Sequence, residues 1–200
     1  MEIRERAAQE LKAQMGRMGA EDLSMVFPVA PIAMGIVESA EAGLRAAASG
    51  ATIVQLRAPS LTARALEREA ARLKAGSPVP VIVSSRCDVA LAAGLDGVNL
   101  PESDIPVNEA RKLLPAGAWI SRSVHSLDAA LESDGADCLV FGPVWETSSH
   151  PGRAAVGLDA LREMAAASPI PVIAIGGVTR ERVAQVMDLC AGYAAIGFFR

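Results

Sequence analysis

Eight short apolar runs, separated by stretches of helical periodicity, limit what this chain can become. The runs are MVFPVAPIAMGIV (25–37), ATIVQLR (51–57), PVIVSS (80–85), DGVNL (96–100), AWISRSV (118–124), DCLVFG (137–142), PVIAIGG (171–177) and YAAIGFF (193–199). Most are apolar on both faces, as a strand covered by helices must be. Between them lie SAEAGLRAAASG, TARALEREAARLKAG, CDVALAAG, VNEARKLL, SLDAALESDG, GLDALREMAAAS and TRERVAQVMDLC, with apolar residues recurring every three or four positions. Several open with Ser or Thr and close with Gly, the start and stop signals of a helix. Eight strands with seven intervening helices spell an α/β fold, a single-domain (β/α)₈ TIM barrel over 23–200. An open doubly wound sheet is the alternative, and the even spacing favours closure.

One helix is missing from that count. The sequence stops at Arg200, directly after the eighth run. Residues 1–22 offer a spare, because Ile3, Ala7, Leu11, Met15 and Met18 form an amphipathic stripe. The expectation is an N-terminal helix in the outer slot between strands eight and one, or across the barrel floor, since an apolar stripe needs cover. Closure of the gap by a second copy, a homo-oligomer, is the competing arrangement.

Composition narrows the partners. The chain is 51% hydrophobic and 21% charged, enough apolar content for a sizeable core. A net charge of −4 gives no general attraction to nucleic acid or anionic membrane. No run is long and apolar enough to span a bilayer, and MEIRERAAQE does not open as a secretory signal. Cys87, Cys138 and Cys190 are odd in number and unpaired in spacing, which reads as reduced thiols and a cytoplasmic location.

Chemistry-bearing residues collect where the runs end. His125, one of two histidines, lies at the end of the fifth run in WISRSVHSLD. An imidazole there reads as an acid–base group on the face where barrel chemistry sits, or as a capping residue. AIGGVTRER places two glycines between the seventh strand and a helix expected to begin near Thr179, a turn that suits an anion. Arg57 ends the second strand and pairs either with Glu146 or with a substrate carboxylate. Glu146 either orients His125 or caps a loop. Arg86 and Asp88 read as a structural pair. Strand alternation sets Arg122 opposite Ser121 and Ser123, so inward serines turn Arg122 toward the helices.

The segments VSSRCDVALAAGLDGVNLPESDIP, ISRSVHSLDAA, GADCLVFGPVWETSSH and IPVIAIGGVT, taken in order, resemble the thiamine-phosphate synthase and thiazole tautomerase superfamily. The likeness runs from about Ile53 to the end and implies a small phosphorylated heterocycle as substrate. The synthase branch joins a pyrimidine diphosphate to a thiazole phosphate using Mg²⁺. Of its pattern this chain keeps Gln55, Arg57, Asp104, Thr147 and Ser149. It departs at Pro59 and His150, which replace lysines, and at Ser84 and Ser85, which replace an asparagine and a metal-binding aspartate. A diphosphate leaving group needs positive charge as its bond breaks, so these losses weigh against a synthase.

The tautomerase branch resembles RSVHS and the VWET segment, needs no cofactor, and implies His125 as the residue that moves a proton on a carboxythiazole phosphate. The expectation is therefore a thiazole tautomerase-like isomerase without a metal. A divergent synthase is the runner-up, and a non-catalytic phosphate-ligand barrel is a third reading. The resemblance implies that Gly177, Ile196 and Gly197, with Thr147, Ser148 and Ser149, hold the phosphate, and that Ser84 and Ser123 contact substrate. Asp104 is either a helix-start carboxylate or, under the synthase reading, a weak metal ligand. His150 is either a surface residue or a cation replacing lysine.

Overall fold

The computed structural model describes residues 31–147 and 154–199. The N-terminal helix expected over 1–22 lies outside them, as do Ser148, Ser149 and His150. Strands and helices alternate as β1 (Ile32–Val37), α1 (Ala40–Ala48), β2 (Ile53–Leu56), α2 (Ala63–Gly76), β3 (Val81–Ser84), α3 (Cys87–Ala92), β4 (Gly97–Leu100) and α4 (Val107–Leu113). They continue as β5 (Trp119–Val124), α5 (Leu127–Leu131), β6 (Cys138–Phe141), α6 (Gly157–Ala167), β7 (Val172–Ile175), α7 (Val183–Met187) and β8 (Gly192–Ile196). Every strand pairs in parallel with its neighbours, and β8 pairs with β1 to close the barrel.

Helix starts follow the expected chemistry at three places. Ser39, Thr62 and Ser126 precede α1, α2 and α5, and each side-chain oxygen accepts an N–H three residues on, at 3.3, 3.3 and 3.2 Å. On α2 the buried residues Leu66, Ala70 and Leu73 fall at four- and three-residue steps, which puts one face on the sheet. Burying a leucine side chain contributes about 1.5–3 kcal/mol. The helix expected to begin near Thr179 differs. Arg182 and Val183 N–H groups bond back to the Thr179 carbonyl at 3.0 and 3.1 Å, so a turn comes first and α7 starts only at Val183.

Period two splits the core into layers. Val54, Leu56, Val81, Val83, Val98, Leu100 and Ile120 face outward to the helices. Met34, Ile53, Ile82, Trp119, Cys138, Ile173 and Ala194 fill the interior. At the floor, Asp96 accepts the Val81 N–H at 2.7 Å and binds Lys74 Nζ at 2.6 Å. Asp137 repeats the device, accepting the Ile120 N–H at 2.7 Å and binding Arg111 at 2.5 Å. Each aspartate ties two strand starts and a helix together.

The last run is only partly a strand. β8 ends at Ile196, Gly197 turns the chain at φ +73°, and Phe198 and Phe199 leave the sheet. Their rings cluster with Tyr193 at 5.2 and 6.2 Å, and Phe199 lies against Gly35 of β1. Aromatic side chains thus cover part of the outer seam between β8 and β1.

Candidate active site

A cavity of about 410 Å³ opens at the C-terminal ends of the strands. Inward positions change from apolar to polar as each strand approaches it. On β2 the change is Ile53 to Gln55, on β3 Ile82 to Ser84, and on β5 Trp119 to Ser121 and Ser123. Gln55 is only 3% exposed, borders the cavity, and its amide has no hydrogen bond to the described residues. The amide opens onto the cavity and is available to a ligand or to water there. Asn99 of β4 is satisfied, donating to Ser123 Oγ at 3.2 Å and accepting from Ser121 Oγ at 2.9 Å.

Arg57 follows β2. Its N–H is held by the Val37 carbonyl at 2.8 Å, and its guanidinium stands exposed at the cavity mouth without an ion pair among the described residues. It does not pair with Glu146, and neither does His125. The partner of His125 is Glu102, whose Oε2 lies 2.7 Å from Nδ1. Both border the cavity. A carboxylate on Nδ1 fixes the tautomer and the plane of the ring.

Arg122 explains why Glu102 is there. Its guanidinium donates to the carbonyls of Glu102 and Ile105, both at 2.8 Å, and to that of Asp104 at 3.4 Å. The serines face inward, so Arg122 faces out and fastens the loop between β4 and α4. Burial pulls its pKa below the usual guanidinium value, against the opposing pull of the Asp104 and Glu102 carboxylates. Asp104 does not border the cavity; its Oδ1 accepts the Ile105 N–H at 2.8 Å. Arg86 and Asp88 pair as expected, at 2.8 and 2.5 Å, which lowers the Asp88 pKa and raises that of Arg86.

The opposite rim is backbone. Gly176 and Gly177 follow β7 with φ of +91° and +68°. Their turn is docked on the segment after β6, where Val144 and Trp145 N–H groups bond to the Ile175 and Gly176 carbonyls at 2.8 and 3.1 Å. Arg182 donates to the Gly177 carbonyl at 2.8 Å and stacks 4.8 Å over Trp145. Thr147, Thr179 and Ile196 complete this side, with Ile196 53% exposed at its edge. A hydrogen bond from Thr179 lowers the Glu181 pKa. Gly197 does not border the cavity, because the chain has already turned away from it.

The structure thus gathers Gln55, Arg57, Ser84, Ser123, His125, Thr147, Gly177 and Ile196 around one cavity, and leaves Asp104 and Gly197 outside it. It adds Asn99 and Glu102, which sequence reasoning missed, and brings in Gly176 and Thr179 from the turn AIGGVTRER. An asparagine inside the apolar run DGVNL was a signal for the first. Glu102 sits two residues before Asp104 in PESD, and nothing local distinguishes which carboxylate turns inward.

A closed parallel barrel whose polar mouth has a glycine turn after β7 and, after β2, an arginine with no ion pair among the described residues defines a (β/α)₈ protein with its candidate site at the C-terminal ends of the strands. Residues 27–197 match the family model described as thiamine monophosphate synthase, and the chain belongs to that family. A thiamine-phosphate synthase of Methanoculleus marisnigri is 41% identical over 160 residues, covering 76% of this chain and 74% of its own. One from Chloroflexus aurantiacus is 40% identical, covering 74% and 70%. Among solved structures, a thiamine phosphate pyrophosphorylase from Pyrococcus furiosus matches with a TM-score of 0.74 at 30% identity, covering 82% of this chain and 85% of that one.

These relatives overturn the expectation of a thiazole tautomerase-like isomerase. They are named for the synthase, a transferase, despite this chain's departures at Pro59, Ser85 and His150. The RSVHS segment misled because a histidine at the end of β5 suits either chemistry, as proton carrier or as anion contact.

The residues present do not fit the Mg²⁺ that the synthase branch implies. Mg²⁺ is typically held by one or two carboxylates plus substrate phosphates. Among the described residues, Glu102 is the one carboxylate on the cavity and is engaged by His125, and no group of three or more His, Cys, Asp and Glu is placed to hold a metal.

Proposed function

We propose that the protein is a transferase of the thiamine-phosphate synthase type, joining a pyrimidine diphosphate to a thiazole phosphate. The observation that carries the reading is the cavity's two unlike anion-seeking ends. The Arg57 guanidinium, without an ion pair among the described residues, follows β2, and the glycine turn follows β7, with β8 and β1 between them. A ligand with a single phosphate leaves one end unused, whereas two phosphorylated partners use both. Identity of 41% to a relative bearing the synthase name supports the same choice.

In this reading the turn at Gly176 and Gly177 takes the thiazole phosphate, where main-chain groups can approach an anion closely. Gln55, whose side chain lines the cavity, meets the polar edge of the pyrimidine ring. Arg57 takes the diphosphate in bidentate fashion. The thiazole nitrogen lone pair forms the new C–N bond at the methylene carbon. The C–O bond to the diphosphate breaks, and its electron pair leaves with the diphosphate. Holding the two partners in line is where the protein contributes most.

The test is to incubate the purified chain with both partners and measure thiamine phosphate and inorganic pyrophosphate by mass spectrometry. The expected result is equimolar product. Binding of each partner without any product would instead make the barrel a non-catalytic binding protein.

A further inference from the structure

The cavity treats anions and cations unequally. To an anion it presents the guanidinium of Arg57, which has no ion pair among the described residues, and the hydroxyl of Ser84, both on the rim formed by β2 and β3. To a cation the same rim presents no free carboxylate among the described residues. Glu102 is bonded to the His125 imidazole at 2.7 Å. Asp104 lies off the cavity, bonded to the Ile105 N–H at 2.8 Å and electrostatically coupled to Arg122. At position 85, where a second acid would complete a metal pair, a serine sits at φ +66°.

We propose that this rim accepts a diphosphate group without a divalent cation, Arg57 supplying the positive charge and Ser84 a neutral donor. The guanidinium fork matches two phosphate oxygens and is always charged, so it provides at one fixed place what a bridging metal provides elsewhere. The choice of diphosphate rests on the transferase reading above; the unequal treatment of charge does not.

The probe is inorganic pyrophosphate, titrated calorimetrically into the full chain in EDTA and again in excess Mg²⁺. The expected affinities agree within about threefold. Arg57→Gln weakens binding by on the order of tenfold or more in both buffers, since one charge-assisted hydrogen-bonding group is lost, and Arg57→Lys recovers part of it. Arg57 is exposed, so thermal melts of both variants should match the parent. Binding seen only with Mg²⁺, no binding in either buffer, or unchanged binding by Arg57→Gln would each overturn the proposal. Run beside the product assay, the two ideas separate. Product formed only with Mg²⁺ removes the metal-free site and leaves the transferase, whereas pyrophosphate binding in EDTA with no product does the reverse.

Discussion

Replacing Gly177 by alanine tests the most constrained part of the site. Its φ of +68° costs a residue bearing Cβ about 1–2 kcal/mol. A Cβ there would also lie 2.6 Å from Trp145 Cβ and 3.0 Å from the Glu146 carbonyl oxygen. Neither neighbour is the tip of a flexible side chain, so the turn itself must shift, adding about 1–3 kcal/mol of overpacking. Gly50 supplies the control, with φ +98° and nothing within 4 Å of the place a Cβ would take. Gly50→Ala should therefore show the backbone cost alone. Urea unfolding of both variants should give a difference of about 1–3 kcal/mol, with Gly177→Ala the less stable. Because the shifted turn is the proposed phosphate grip, Gly177→Ala should also weaken thiazole phosphate binding at least about tenfold, while Gly50→Ala leaves it unchanged. Equal destabilisation by the two substitutions, with phosphate binding intact, would refute the reasoning.

Two further predictions concern the loop and the thiols. Arg122→Ala removes the donors that hold the Glu102, Asp104 and Ile105 carbonyls, so hydrogen exchange should accelerate over 101–106 and turnover should fall more than the affinity for inorganic pyrophosphate; unchanged exchange would reject the fastening role. Burial raises the thiol pKa of Cys87, Cys138 and Cys190 and the phenol pKa of Tyr193 above their ordinary values. A raised acid keeps its proton in the folded state while the unfolded thiol, near pKa 8.5, loses it, so stability should be full below that pH and fall as pH rises past it. The urea midpoint should drop between about pH 7.5 and 9.5, and iodoacetamide should label the folded chain far more slowly than the unfolded one. Equal labelling of the two states would contradict the burial.

The barrel was legible because its strands are buried on both sides and its helices on one. ATIVQLR contains β2 at Ile53–Leu56, and AWISRSV contains β5 at Trp119–Val124, each within two residues at either end. YAAIGFF was less so, since an apolar run carries no period of its own. Only the turn at Gly197 shows that Phe198 and Phe199 serve packing outside the sheet. In the site, alternation correctly placed Ser121, Ser123 and Arg122 on opposite faces of β5. It could not identify Glu102 as the partner of His125, because that contact joins loops 23 residues apart. The sequence reading offered Glu146, which is just as remote from His125 along the chain; it is exposed and does not line the cavity.

Arg122 and Glu102 link the two scales. A residue pointing out of the barrel decides which carboxylate points in, because fastening the carbonyls from Glu102 to Ile105 fixes the path of the loop. That path presents Glu102 to His125 and withholds Asp104 from the cavity. Had the loop turned the other way, a free carboxylate would border the proposed diphosphate rim and a divalent cation would have a ligand. In the proposed site the charge preference of the mouth is therefore set by Arg122, an arginine that does not line the cavity. It follows that loosening Arg122 should change what the cavity binds before it changes how stably the barrel folds.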